Sequence, residues 1–273
     1  MLKILFFGDI VGRVGREAFA KVLPEWRKTY APDFIIANGE NIAHGKGVSR
    51  DTLKEILDAG AQAVTTGNHI WSFPEAHDLL QEASIPLLRP ANFTAKLPGK
   101  GFAVFNVGVW RVLVVNLMGQ AAMHQHLNSP FERIDEILED YGLPGDADGK
   151  EMVHAIFVDW HAELTSEKLA LGWYLDGRVS AVLGTHTHVP TADERILPKG
   201  TALQADVGMV GAHHSILGVE VEPNLRRFLL QVPGKIPPEE QFPAEVNGAL
   251  VAIDTKTGLA CGIERLRKIV EKE

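Results

Sequence analysis

The chain has 273 residues, 45% hydrophobic and 23% charged, with a formal net charge of −8 and one cysteine, Cys261. This is globular composition with ample length for a core, and a lone cysteine excludes a disulfide-framed protein. The acidic balance argues against a stable duplex-DNA surface, and no stretch approaches the ~18 uninterrupted apolar residues of a membrane span.

Leu2–Phe7 is an apolar run interrupted only by Lys3 and ended by Gly8, the pattern of a strand buried on both faces. It stops too early for a signal-peptide core, so a cytoplasmic protein is expected. Residues 16–30 carry Phe19, Val22, Leu23 and Trp26 at helical spacing, with Pro32 beyond the end. Residues 33–38 read as a second buried strand. Ser49 can cap a helix over Arg50–Ala59, which Gly60 ends. Residues 63–66 form a third strand, and Ser72 and Pro74 open a helix reaching Glu82. The alternation of strand and helix predicts a parallel sheet.

Beyond residue 100 the style changes. Residues 102–107 and 110–117 read as a hairpin, 119–129 as a polar loop with His124 and His126, and 130–141 as a helix. A strand over 153–158, a helix over Thr165–Tyr174 and a strand over 179–183 follow. Residues 201–205 form a further strand, 223–232 a helix, and 246–254 with 259–267 a closing hairpin across Lys256-Thr257-Gly258. No linker or low-complexity stretch divides the chain. The expectation is an α/β protein of one domain, residues 1–273, with two packed mixed β-sheets flanked by helices. Cys261 falls in the last strand and reads as a buried, inert thiol. The apolar hairpin segments leave room for a homo-oligomer without fixing an interface.

Five strand ends carry the residues that do chemistry. They are Gly8-Asp9, Gly39-Glu40-Asn41, Gly67-Asn68-His69, Asp159-Trp160-His161 and Gly184-Thr185-His186-Thr187-His188. In an α/β sheet, side chains just past the carboxyl ends of the strands share one crevice. Taken singly, each has a plain alternative: Asp9 as a helix cap, Asn68 as a turn residue, His161 as a satisfied core histidine, His186 and His188 as surface residues. In extended chain, residues at i and i+2 point the same way, so His186 and His188 can face one ion. Together Asp9, Glu40, Asn41, Asn68, His161, His186 and His188 offer seven ligands. One ion with open positions needs about three or four, so seven fit two ions sharing a bridging group.

Other features carry less. Gly8, Gly12 and Gly15 do not have dinucleotide-loop spacing. Glu163, Thr165, Ser166 and Lys168 fit a capped helix start. His213-His214, with His124 and His126, read as surface histidines or as lining for a site mouth. Trp173-Tyr174 reads as packing.

The Gly-Asn-His and Gly-Thr-His-Thr-His elements resemble those of the calcineurin-like metallophosphoesterases. More narrowly, the chain resembles the YmdB-like bacterial phosphodiesterases. That likeness runs through Asn38-Gly39-Glu40-Asn41, Ala43-His44-Gly45-Lys46-Gly47, Arg89-Pro90-Ala91-Asn92-Phe93, His161-Ala162-Glu163 and Asp206-Val207-Gly208-Met209. The resemblance implies a four-layer α/β/β/α sandwich and a dinuclear centre of iron or manganese, with magnesium open. The wider superfamily's Asp-x-His is here Asp9-Ile10-Val11, and its bridging Asp is absent. Glu40 is then implied as the bridge and Asn41 as the replacement for the missing imidazole. One metal would see Asp9, Glu40, Asn41 and His188, the other Glu40, Asn68, His161 and His186. The implied activity is hydrolysis of a small phosphodiester, 2′,3′-cyclic nucleotides, by metal-bound hydroxide, with His69 protonating the leaving oxygen. A phosphomonoesterase on the same metal pair, or a nucleotide-binding regulatory protein, are the alternatives.

Overall fold

The computed structural model describes residues 1–272. In chain order its elements are β1 (Leu2–Phe7), β2 (Asp9–Ile10), α1 (Gly12–Tyr30), β3 (Phe34–Asn38), α2 (Arg50–Ala59), β4 (Ala63–Thr65) and α3 (Glu75–Gln81). The central stretch holds β5 (Phe102–Val107), β6 (Trp110–Met118), α4 (Pro130–Asp140), β7 (Tyr141–Gly142) and β8 (Glu151–Met152). Then come β9 (Ala155–His161), α5 (Thr165–Tyr174), β10 (Ala181–Thr185), β11 (Arg195–Ile196), β12 (Ala202–Gln204), β13 (Met209–Ala212), α6 (Val221–Leu230), β14 (Ala244–Ile253) and β15 (Ala260–Val270).

Two mixed sheets result. The first runs β2-β13-β14-β1-β3-β4, with β15 on the outer side of β14. Its β1, β3 and β4 are parallel, and β14 is antiparallel to β1. The second runs β11-β12-β10-β9-β6-β5, with β6, β9, β10 and β12 parallel.

Alternation along the strands divides the core into layers. Leu2, Ile4 and Phe6 of β1 and Phe34 and Ile36 of β3 face Val112, Val114, Phe157 and Leu183 of the other sheet. Phe6 meets Phe157 edge-on at 5.1 Å across this seam. Full burial of such a ring contributes roughly 1.5–3 kcal/mol through removed apolar surface. Leu5, Phe7, Ile35 and Ala37 point the other way, onto α1 and α2. Leu113, Val115, Ile156 and Val158 pack against α4 and α5. The expected order of helix, sheet, sheet, helix is therefore present.

Local signals set several boundaries as expected. Ser49 accepts from the Thr52 N–H and closes a capping box, and Gly60 ends α2 with φ 124°. The structure corrects others. Helix α1 starts at Gly12, not Arg16, because its first turn lies close on β13: a side chain at Gly15 would put a carbon 2.3 Å from the Val210 carbonyl oxygen. Cys261 is in a strand but exposed, since β15 pairs only with β14 and its alternate residues face outward. No described helix is long and apolar enough to cross a membrane.

Candidate metal centre

The carboxyl ends of β1, β3 and β4 in one sheet, and of β9 and β10 in the other, converge on one edge of the sandwich. All seven residues singled out as ligands meet there. Asp9 sits in β2 and is fully buried, as is His161 at the end of β9. Glu40 and Asn41 follow β3 and are almost as deep, with 1% and 2% exposure. The cap of α1 is Val11 and makes no side-chain bond, so Asp9 has no capping role.

The contacts form two groups. In the first, His161 Nε2 lies 3.0 Å from Asn68 Oδ1, 3.0 Å from His186 Nδ1 and 3.3 Å from Glu40 Oε1. One ring nitrogen has at most one proton, so it cannot serve three such partners. Glu40, His161 and His186 lie close enough together that they could hold one cation. In the second group, Asn41 Nδ2 lies 3.1 Å from Glu40 Oε1 and 3.3 Å from His188 Nε2, while Asp9 Oδ1 lies 3.9 Å from His188 Nε2. Rotating the Asn41 amide by half a turn presents its oxygen instead. Glu40 belongs to both groups.

Two further observations fit cations here. Asp9 Oδ1 is buried with no hydrogen-bond partner among the described residues, a costly state for a carboxylate oxygen unless positive charge meets it. Gly67 leaves the space open: a side-chain carbon there would come within 2.3 Å of His161 Nε2 and 2.4 Å of Glu40 Oε2. The donor set mixes carboxylate, amide oxygen and imidazole, which suits hard or borderline ions such as manganese, iron or magnesium.

The outer partners fix ring orientation. Thr185 Oγ1 donates to Asp159 Oδ1 at 2.7 Å, so it accepts from His161 Nδ1 at 2.9 Å and leaves Nε2 for the cluster. Asn38 Nδ2 and the Thr65 hydroxyl also donate to Asp159. His186 Nε2 meets Glu163 Oε2 at 3.1 Å, leaving Nδ1 inward, and His188 Nδ1 meets the Leu217 carbonyl at 3.0 Å, leaving Nε2 inward. Such partners hold tautomer and aim for metal-ligating histidines.

Charge and burial compete throughout. Burial raises the Asp9 carboxyl. Burial also works to raise Glu40, but the charge and hydrogen bond of His161 outweigh it and hold Glu40 well below the carboxylate range. Burial pulls His161 down, yet Glu40, with Asp9 and Asp159, lifts it to about 9. Burial and then the His161 charge push His186 down to about 3. Burial takes Asp159 up to about 6.

His69 stands apart from both groups. Its backbone N–H donates to Glu40 Oε2 at 3.1 Å, while its ring makes no hydrogen bond among the described residues. Burial lowers its pKa. The ring lines a cavity of about 310 Å³ together with Lys46, Glu163, His186 and His188. A larger cavity of about 700 Å³ lies by Arg89, Phe102 and Tyr141 and shares no lining residue with the site.

Two sequence expectations change here. His186 and His188 are not extended: β10 ends at Thr185, and the two residues have φ of 98° and 67°. They converge through left-handed backbone rather than strand geometry. Glu163, Thr165, Ser166 and Lys168 do not cap α5, whose cap is Leu164 without a side-chain bond. Glu163 instead orients His186, and Lys168 is buried against Asp206. Neither role has a local signal, because each partner is some 20 or more residues away in the chain. Of the discounted histidines, His213 pairs with Glu245 and lines a neighbouring depression with His188. Tyr174 packs edge-on to Phe131, whereas Trp173 is half exposed.

The model of the YmdB-like protein family matches residues 5–266. A 2′,3′-cyclic-nucleotide 2′-phosphodiesterase of Bacillus subtilis is 43% identical over 266 residues, covering 97% of this chain and 96% of that protein. A crystal structure described as a novel phosphatase from Mycoplasma pneumoniae superposes with a TM-score of 0.89 at 31% identity, covering 99% of this chain and 94% of its own. The NAD nucleotidase of Haemophilus influenzae shares the fold, with a TM-score of 0.57 at 13% identity over 98% of this chain and 56% of its own. With the match running through nearly the whole chain, this protein belongs to the YmdB-like family.

Proposed function

We propose that this protein is a dinuclear metal-dependent phosphodiesterase acting on 2′,3′-cyclic nucleotides. The observation that carries the reading is the convergence of Asn68, His186 and Glu40 on one nitrogen of His161, beside the unpartnered Asp9 oxygen. Asp9, Glu40, Asn41 and His188 would hold one cation, and Glu40, Asn68, His161 and His186 the other. Bound there, the pair would neutralise phosphoryl oxygens and acidify the attacking water.

The chain's own residues supply the rest. Lys46 brings positive charge to the cavity that His69 shares, which favours an anionic ligand. A volume near 310 Å³ is at the small end for ligand sites, in keeping with a mononucleotide. The His69 ring, free of other partners, carries the proton to the departing ribose oxygen. The substrate itself comes from likeness to the Bacillus subtilis phosphodiesterase, and the Mycoplasma pneumoniae relative described as a phosphatase keeps monoester hydrolysis as the second reading.

Turnover of 2′,3′-cyclic AMP, bis-p-nitrophenyl phosphate and p-nitrophenyl phosphate by manganese-loaded protein separates them. The expected result is that both diesters are cleaved at least about tenfold faster, by kcat/KM, than the monoester, a difference of roughly 1.4 kcal/mol in transition-state binding. Faster monoester cleavage would replace this reading with a phosphomonoesterase.

A further inference from the structure

The segment that presents His186 and His188 is held from below by a buried ion pair. Both histidines have left-handed φ, 98° and 67°, a conformation that residues bearing a Cβ keep only when their surroundings impose it. The segment's backbone groups show what imposes it. Lys168 Nζ donates to the Thr185 carbonyl at 2.8 Å. Asp206 Oδ2 accepts the Thr187 N–H at 3.1 Å and the Thr187 hydroxyl at 2.8 Å. Asp9 Oδ2 accepts the His186 N–H at 3.0 Å, and the Met209 N–H donates to the His188 carbonyl at 3.1 Å.

Lys168 and Asp206 are 2% and 1% exposed and lie 2.5 Å apart. The second Asp206 oxygen accepts the Gly208 N–H at 2.8 Å, so the carboxylate also fixes the turn that follows it. That turn sits against the residue just past β1: a side-chain carbon at Gly8 would lie 1.8 Å from the Gly208 carbonyl oxygen. A buried pair is weak evidence for stability, since apolar residues of similar volume often serve a core as well. Among the described residues, every hydrogen bond that the two side chains make outside the pair runs to the backbone or hydroxyl of the 185–187 segment or to the adjoining turn.

We propose that Lys168 and Asp206 are positioning residues, which clamp Thr185 and Thr187 and thereby aim His186 and His188 at the two cations. The proposal rests on the metal reading above. It makes a prediction of unusual sign. Lys168 is a positive charge near the site, felt electrostatically at His186. Removing that charge would by Coulomb attraction alone tighten a cation. A clamp predicts the reverse, because loosening the histidines weakens binding.

The test is calorimetric titration of the metal-free full-length protein with Mn²⁺, comparing wild type, Lys168→Met and Thr187→Val. Thr187→Val removes only the hydroxyl bond to Asp206 and keeps the fold readable should Lys168→Met not fold. The expected result is Mn²⁺ binding weakened about 10–100-fold in Lys168→Met, the scale for groups that orient ligands, and weakened in the same direction in Thr187→Val. The melting temperature of metal-free Thr187→Val should stay within a few degrees of wild type. Unchanged or tighter Mn²⁺ binding in the variants, with wild type binding normally, would overturn the clamp alone. Absence of Mn²⁺ binding by wild type would overturn the metal reading and the clamp with it.

Discussion

Glu40→Gln is expected to lower metal content from about two ions per chain to one or fewer and to cut diester turnover by more than about 100-fold. Glu40 is the one side chain common to both groups of converging donors, within 3.3 Å of His161 Nε2 and 3.1 Å of Asn41 Nδ2. Glutamine keeps the shape and an acceptor for the His69 N–H, so local structure persists. What it removes is the negative charge that two cations would share. Groups that only support a ligand already cost ~10–100-fold when lost, and a bridging ligand costs more. The check is metal analysis of the purified variant beside its kcat/KM for 2′,3′-cyclic AMP. Two retained ions with turnover within a few-fold of wild type would remove Glu40 from the bridging role.

His69→Ala should behave differently. The ring contacts none of the proposed ligands by a hydrogen bond, so metal content should stay at the wild-type level. Loss of a proton donor costs about 10²–10⁴-fold in turnover. The size of the loss should depend on the leaving group. A ribose oxygen leaves poorly without a proton, whereas p-nitrophenolate leaves readily as an anion. The kcat for 2′,3′-cyclic AMP should therefore fall by about 10²-fold or more, and that for bis-p-nitrophenyl phosphate by much less. Equal losses on both substrates would make His69 a residue that shapes the site rather than a proton donor.

Much of this molecule is legible in one dimension because its strands are buried on both faces. Ile4–Phe7 and Phe34–Ala37 read as continuous apolar runs for that reason, and the residues after them fall by topology at one edge. The strand-end pattern thus brings Asp9, Glu40, Asn41, Asn68, His161, His186 and His188 to one edge of the sandwich. What supports them is hidden. The Thr185–Asp159 relay, the Glu163–His186 contact and the Lys168–Asp206 pair join residues remote in sequence, and no periodicity marks them. The left-handed backbone at His186 and His188 is equally silent, since histidine does not announce positive φ as glycine does. Cys261 misleads because an apolar neighbourhood in sequence does not reveal which strand ends up on the outside of a sheet.

Metal content per chain decides whether the polar groups around His161 form a metal centre. Elemental analysis of the purified protein, repeated after incubation with manganese or ferrous iron and removal of the excess, should give about two ions per chain. No retained metal before or after either incubation would rule out a metal centre, leaving the crowded nitrogens and oxygens around His161 without a cation to converge on.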